Sequence, residues 1–528
     1  MVSFEKRMAY DGSGLKDFFW LISANEIVEV RDALTCALGK KIFLEKDFAV
    51  MVPCFSYIIR HIIELWQARK LIEQGLIHQE GGGKSYPMYE TSFGRGYSGV
   101  KPLVLKRLED PAEGKGKAKG LYKIGLGWAY ELRLNYLQKN KSLERLIACY
   151  ANGGKSVVYA GNDITREYVA KRKIDARYES PLKWFYQAKK KEKISACTAS
   201  KEKWHELIAI VQDVFSSHST LFGDEEYEYI LSLLISIEIE VSTYYAHLKE
   251  KKLPETLLTG TGGNVFSAIL SKVVIDNGGE VIRFDHSMGQ GFAVRPGAPL
   301  IDYPSASKVV TTNENKMLSL LRAYKKYGFD HFLDKPVHEV YRPETIGPAL
   351  WSKENGRDGT IRKVMYVPTV YSGDQIWFEP HTPAMIMLDW QIRLLSWLKR
   401  AGYEVMVKPH PGSKIEFPKW LASDLELVVC NDNFENVVDQ ADLFLFDKIQ
   451  TTTFLTALKT KTPIVYAQID QWDWMPGARA DLKKRVGLLE TYVDSDNRIH
   501  FDSDSLAYII SECMDLVENN DFYCNYVA

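Results

Sequence analysis

Short, unbroken apolar runs, each followed by a segment of helical periodicity, recur along the chain from about residue 155, and this alternation most narrows what the sequence can fold into. The clearest unit starts with Thr256-Leu257-Leu258-Thr259 and the turn Gly260-Thr261-Gly262-Gly263-Asn264. Helical spacing follows over Val265–Asp276, then Gly278-Gly279, then Glu280-Val281-Ile282-Arg283-Phe284. That order is a βαβ unit with a glycine-rich turn at the carboxyl end of its first strand and a glycine cap closing its helix. Upstream, 156–160 reads as a strand, and 182–191 and 204–214 read as helices. A second series supplies strands at 364–368, 405–407, 427–429, 443–446 and 464–466, and helices at 385–401, 434–440 and 453–458. A terminal helix is expected over 503–519.

Between the two series, 334–360 (DKPVHEVYRPETIGPALWSKENGRDGT) is rich in Pro, Gly and charge and reads as a linker. The expected architecture is α/β, with two Rossmann-like doubly wound domains facing across a cleft. The first spans 1–345, with a buried helix at 55–66 and a mobile glycine-rich loop near 79–119. The second spans 346–505, and 506–528 forms a C-terminal helix that packs back towards the first. A chain of 528 residues exceeds what one hydrophobic core sustains, which agrees with two domains. In such folds ligands sit at the carboxyl ends of the strands.

Lys plus Arg number 67 against 68 Asp plus Glu, so no global field draws the chain to nucleic acid. The seven cysteines are scattered, odd in number and free of C-x-x-C spacing, which points to reduced thiols in a cytoplasm. The start, MVSFEKRMAYDGSG, lacks the pattern of an export signal. The apolar stretch 230–248 carries Glu238, Glu240 and His247 and reads as a core helix rather than a span. The basic run Lys189-Lys190-Lys191-Glu192-Lys193 is either a solvated helix face or a contact with anionic lipid at the inner face of the cell membrane.

Two motifs of the second half carry chemistry. Glu404-Val405-Met406-Val407 ends abruptly in Lys408-Pro409-His410-Pro411-Gly412-Ser413, where the prolines stop the strand ladder and hold an imidazole and an ammonium at its carboxyl end. Both groups suit a phosphate oxygen. About forty residues later Ala441-Asp442-Leu443-Phe444-Leu445-Phe446-Asp447 feeds Thr451-Thr452-Thr453 at the start of a helix, where hydroxyls and free N–H groups form an anion site or simply a helix cap.

Strand-KPHP-x-S, then AD-x-x-x-x-D, then a hydroxyl pair opening a helix, then a strand after Lys461-Thr462-Pro463, resembles the C-terminal domain of bacterial capsule-polysaccharide transferases. These include Kdo transferases and bacterial sialyltransferases, and teichoic-acid glycerophosphotransferases share much of the pattern. The resemblance covers about 360–470 and implies the GT-B glycosyltransferase fold. It implies that His410 and Pro411 form the HP motif and Thr451 and Thr452 the hydroxyl pair, contacting the phosphate of a CMP-sugar, with Lys408, Ser413 and Thr453 beside them. A further implication is transfer of an acidic sugar (Kdo, a sialic acid or another nonulosonic acid) from the nucleotide-sugar donor to a glycan or lipid-linked glycan acceptor, with no cofactor and no metal. A CDP-glycerol-type glycerophosphotransferase and a non-catalytic glycan-binding protein of the same fold stay open.

In the first half, Gly262-Gly263-Asn264 and Phe284-Asp285-His286-Ser287 resemble the acceptor-side loops of these families, with serine where glycine commonly follows the histidine. Asp285 or His286 is the expected catalytic base. Glu238 and Glu240 are a second choice that equally well pairs with lysines. Ser372 and Gly373, after the first strand of the second half, could bond the base or ribose, or form a polar turn. Trp472 and Trp474 could stack on a sugar or pack with their neighbours. Gly153-Gly154-Lys155-Ser156 has the tail of a P-loop, but Cys149 stands where the first glycine belongs and a strand follows. Asp494-Ser495-Asp496 and Asp502-Ser503-Asp504 mimic a metal-binding pair, the second reading as a helix cap.

Overall fold

The computed structural model describes residues 21–56, 58–60, 62–63, 65–66, 155–159, 161–179, 184, 201–217, 222–260, 265–285, 291–343, 360–369, 382, 384–410, 417–469 and 473–527. The glycine-rich loop near 79–119, the basic run 189–193 and nearly all of the helix expected at 182–191 lie outside them.

Two α/β sheets organise the chain. The first contains β1 (Ser156–Tyr159), β2 (Ala176–Glu179), β3 (Thr256–Thr259), β4 (Glu280–Phe284), β5 (Lys308–Thr311) and β6 (Val337–Val340) in the order β2-β1-β3-β4-β5-β6, all parallel. The second contains β7 (Lys363–Val367), β8 (Glu404–Val407), β9 (Val428–Val429), β10 (Leu443–Phe446), β11 (Ile464–Gln468), β12 (Gly487–Val493) and β13 (Ile499–Phe501) in the order β13-β12-β11-β10-β7-β8-β9. Its only antiparallel pair is the edge hairpin β12–β13. In each sheet the chain winds one way from its first strand and then returns to the other side of it. That reversal makes both sheets doubly wound and sets a switch point beside β1 and beside β7.

The apolar runs lack a polar face because both faces of these strands are covered. Val157, Leu257, Val281 and Val309 point into a helical layer built from Leu21–Leu44, the short turn Lys46–Cys54, the segment 55–66 and the helices Lys201–Ser217, Asp224–Lys249 and Val265–Asp276. Their neighbours Val158, Leu258, Ile282 and Val310 point the other way, into a cluster shared with Met365, Val367, Phe444, Phe446, Ile464 and Tyr466 of the second sheet. The remaining face of the second sheet (Val364, Tyr366, Leu443, Leu445, Val465) packs on the helices Ala384–Arg400 and Ser503–Glu512. One middle core thus belongs to both sheets.

The seam beside that core is hydrogen-bonded. Val294 N donates to Asp473 O and Met475 N to Phe292 O, both at 2.8 Å, framing the antiparallel bridge between Ala293 and Trp474. The last helix, Asp521–Tyr526, lies across the junction. Asn315 Nδ2 donates to Asn525 O at 2.9 Å, Thr312 Oγ1 reaches Val527 O, and Tyr526 OH donates to Pro476 O. Phe522 and Trp474 both pack on the Phe292 ring.

Several boundaries differ from the sequence reading. The linker expected at 334–360 begins with β6, an edge strand whose mixed Val337-His338-Glu339-Val340 pattern gives little apolar signal because it has one neighbour among the described strands. A break at 506 would cut the helix Ser503–Glu512, whose Leu506 and Ile510 are buried against the second sheet. The return to the first sheet is instead made by Asp521–Tyr526. Asp502 caps its helix by accepting from Ser505 N, and Asp494 folds the β12–β13 turn by accepting from the amides of Asp496 and Arg498 and from His500. No helix among the described residues is long and apolar enough to cross a membrane.

Gly291 reports on the seam. A Cβ there would lie 2.6 Å from Tyr526 O and 3.2 Å from Lys316 N, both backbone atoms that cannot swing aside. Gly291→Ala is expected to destabilise the protein by about 1–3 kcal/mol in urea unfolding. A midpoint equal to that of the wild type would show that the C-terminal helix is not seated there.

Candidate anion-binding site

The site is built where β7, β8 and β10 end. β8 alternates Val405 and Val407 into one core with Met406 against the other, and its ladder runs one residue past the strand, Lys408 N donating to Tyr366 O at 2.8 Å. Pro409 has no N–H to continue it, so the chain leaves the sheet there and presents His410. Lys408 is only 5% exposed, and its Nζ donates to Pro409 O at 3.1 Å. Burial, and secondarily the Lys408 charge, lowers the His410 imidazole below its ordinary 6.5, which leaves it mostly neutral at pH 7.

Across from it, Thr451 has extended backbone (φ −133°, ψ 147°) and caps the helix Thr452–Leu458, its Oγ1 accepting from Phe454 N at 3.1 Å. Val367, Pro368, Lys408, Pro409, His410, Thr451 and Thr453 line one small cleft. Thr451 and Thr453 are among the lining residues, while Thr452 is exposed and outside this lining. Successive residues of a helical turn point about 100° apart, whereas the extended cap and the residue two beyond it flank the same opening.

The two aspartates of the AD-x-x-x-x-D pattern act on β7. Asp442 Oδ2 accepts from Arg362 N (3.1 Å) and Lys363 N (2.9 Å) at the start of that strand. At its end, Asp447 accepts from Thr369 N at 2.6 Å and from Tyr366 OH. One carboxyl at each end of Leu443-Phe444-Leu445-Phe446 therefore clamps the neighbouring strand and fixes the Val367-Pro368-Thr369 wall of the cleft. Asp447 and Tyr366 are the site residues that sequence reasoning missed, although paired aspartates bracketing a fully apolar strand were visible in it.

The first half contributes a second charged group of residues. Asp285, at the end of β4, is buried, donates its N–H to Val310 O, accepts from Asn162 Nδ2 at its carbonyl, and ion-pairs through its carboxylate with buried Lys316. Nearby Arg283 donates to Ser271 Oγ and Ile301 O, both at 2.9 Å. Burial pushes Asp302 up to about 7, reinforced by the Asp285 charge and opposed by Arg283 and Lys316. Burial likewise brings Arg283 down to about 10. The Asp285 carboxylate is thus held by Lys316 within a buried charged cluster.

Glu238 pairs with Lys203, as the lysine-pairing alternative has it, while the side chain of Glu240 lies outside the described residues. Trp474 packs on Phe292 in the seam. His286, Gly262, Gly263, Asn264, Ser372, Gly373, Pro411, Ser413 and Trp472 lie outside the described residues. Among the described residues no group of His, Cys, Asp and Glu is arranged to hold a metal ion.

No protein-family model and no curated protein matches the sequence. Among solved structures, that of Phytolacca americana UGT2 complexed with UDP-2fluoro-glucose and pterostilbene is similar at 12% identity, over 70% of this chain and 92% of that one, with a TM-score of 0.34. So loose a likeness carries no weight for the site, and the doubly wound fold stands on the strand order itself.

The Tyr366–Asp447 clamp is testable by a double-mutant cycle. Asp447→Asn is expected to cost about 1–3 kcal/mol in urea unfolding, and Tyr366→Phe less. The double variant should fall short of the sum by about 0.5–3 kcal/mol. Strict additivity would mean that the two groups do not act together.

Proposed function

We propose that this chain is a GT-B glycosyltransferase that moves an acidic sugar from a CMP-activated donor to a glycan acceptor. One observation carries the reading. Lys408, His410, Thr451 and Thr453, drawn from two separate stretches of sequence, line a single cleft beside the switch point of a doubly wound sheet, where such folds bind ligands. The Lys408 ammonium, the imidazole and two hydroxyls form a donor set for a phosphate ester.

In the proposed reaction the acceptor hydroxyl oxygen bonds the anomeric carbon as the bond from that carbon to the phosphate oxygen breaks, and CMP leaves with the electron pair. Lys408 and His410 stabilise the charge developing on that phosphate. Thr451 and Thr453 orient it. The acceptor approaches from the first half of the chain, and its hydroxyl proton is assigned to His286, with Gly262, Gly263 and Asn264 on the same acceptor side. Pro411 and Ser413 extend the phosphate loop, and Ser372 and Gly373 are assigned to the nucleoside. A glycerophosphotransferase would use the same cleft to hold the group it transfers, so the nucleotide released separates the two readings.

The test is calorimetric titration with CMP, CDP, UDP and GDP, followed by assay of nucleotide release from CMP-sugars, UDP-sugars and CDP-glycerol. Tightest binding by CMP and release from a CMP-sugar are expected. His410→Ala should weaken CMP by about tenfold or more, since a hydrogen bond to a charged group is lost. Release from CDP-glycerol alone would replace this reading with the phosphotransferase, and a protein that binds no nucleotide would end both.

The depressed His410 sets the pH dependence. A bound phosphate favours the imidazolium, so binding takes up a proton, and affinity for CMP should rise as pH falls from 8 towards 6. For folding the sign is opposite. Below about 6.5 the unfolded chain protonates this histidine more readily than the folded chain does, so its contribution to stability is lost as pH falls through that value. Titration in buffers of differing ionisation heat should show proton uptake in the wild type and less in His410→Gln. Equal uptake in both would place the proton elsewhere.

A further inference from the structure

The cleft combines one fixed positive charge with one that a ligand can switch on. Lys408 is buried, and its Nζ donates to Pro409 O at 3.1 Å, which keeps the ammonium in one place. His410 stands two residues on, half-buried, on the same turn where the chain leaves the sheet. Burial, and then the Lys408 charge, hold its imidazole towards the neutral form. The other walls bring no charge to offset this: Val367 and Pro368 come from the end of β7, and Thr451 and Thr453 from the helix start. Asp447 lies outside the lining, where its carboxylate accepts from Thr369 N and Tyr366 OH, and Lys448 lies outside it too. Among the described residues that line the cleft, Lys408 is therefore the only charged group beside the imidazole.

The phosphate of a nucleotide-sugar changes charge when its sugar leaves. In the donor it is a diester with one negative charge, which Lys408 alone matches. In the released nucleotide it is a monoester whose second ionisation lies at about 6, so above pH 7 it carries close to two. That second charge beside the ring favours the imidazolium. Protons balance across the reaction. The acceptor hydroxyl gives one up as its oxygen bonds the sugar, and the imidazole takes one from solvent as the phosphate gains charge.

We propose that His410 makes the cleft a sensor of phosphate charge, taking up a proton for the released nucleoside monophosphate but not for the phosphodiester of the intact donor, so that product holds the cleft more tightly as pH falls. This deepens the transferase reading above and rests on it. Retention of the spent nucleotide is then a pH-dependent brake on the same site, relieved towards pH 8.

The experiment compares CMP with the methyl ester of its phosphate, a diester that keeps the nucleoside and carries one negative charge. Calorimetric titration near pH 7.5, in buffers of differing ionisation heat, counts the protons taken up by each. Wild type should take up about half a proton or more per CMP bound, and less than about a fifth of a proton per ester. From pH 8 to 6.5, affinity for CMP should rise about threefold to tenfold, and that for the ester less than about twofold. In His410→Gln, checked for folding by thermal melting, the difference between the two ligands should disappear; the wild-type comparison stands without any variant. Equal proton uptake with CMP and the ester would overturn the proposal, as would a difference that persists in folded His410→Gln, and in both cases nucleotide binding would leave the transferase reading in place. A wild type that binds neither ligand would instead remove that reading, and this proposal with it.

Discussion

A parallel sheet must have both its faces covered; most of this structure follows from meeting that requirement twice in one chain. Each sheet sends alternate side chains to opposite sides. The first sheet covers one face with its own helical layer, and the second covers one face with Ala384–Arg400 and Ser503–Glu512. Their remaining faces share the cluster that holds Val158, Leu258 and Ile282 together with Met365, Phe444 and Tyr466. The two halves are therefore joined by burial, and the hydrogen bonds of 292–294 with 473–475 set their register along the seam.

That joint core explains why the cleft is shaped as it is. Strands bonded side by side end together, so β7, β8 and β10 deliver Pro368, Lys408 to His410 and Thr451 to the same rim. Double winding opens a crevice beside β7 because consecutive connections leave that strand in opposite directions. Asp442 and Asp447 then hold β7 by its ends through backbone amides, so the wall of the cleft is positioned by carboxyl groups that themselves lie outside its lining. The cations show a related economy. Lys408 is buried yet bonded to a carbonyl, and burial, helped by its charge, holds the neighbouring imidazole towards its neutral form.

Legibility in the sequence tracked how many neighbours each element has. The central strands β3, β4, β7, β10 and β11 each carry a buried apolar run and were readable to within about two residues at their ends. The edge strands β2, β6 and β13 were not, because a strand with one neighbour needs less apolar content. β2, β6 and β13 carry charge or alternate weakly, and β6 hid in what read as a linker. At the site, Lys408, His410 and the threonine turn stood out because prolines and hydroxyls punctuate strand ends in recognisable ways. The partner of Asp285 was not legible, because Lys316 lies 31 positions away on a helix that no motif marks.

Local chemistry in the sequence was enough to determine the α/β alternation, the two sheets, and the two stretches of the second half suited to an anion, since period, turn residues and strand ends are encoded within a few positions of one another. Only the tertiary structure decided that those stretches meet in one cleft, that Thr453 rather than Thr452 borders it, and that Asp447 and Tyr366 hold its wall. Each of these is a relation between residues dozens of positions apart, set by strand order and by the shared core, and no local pattern carries that information.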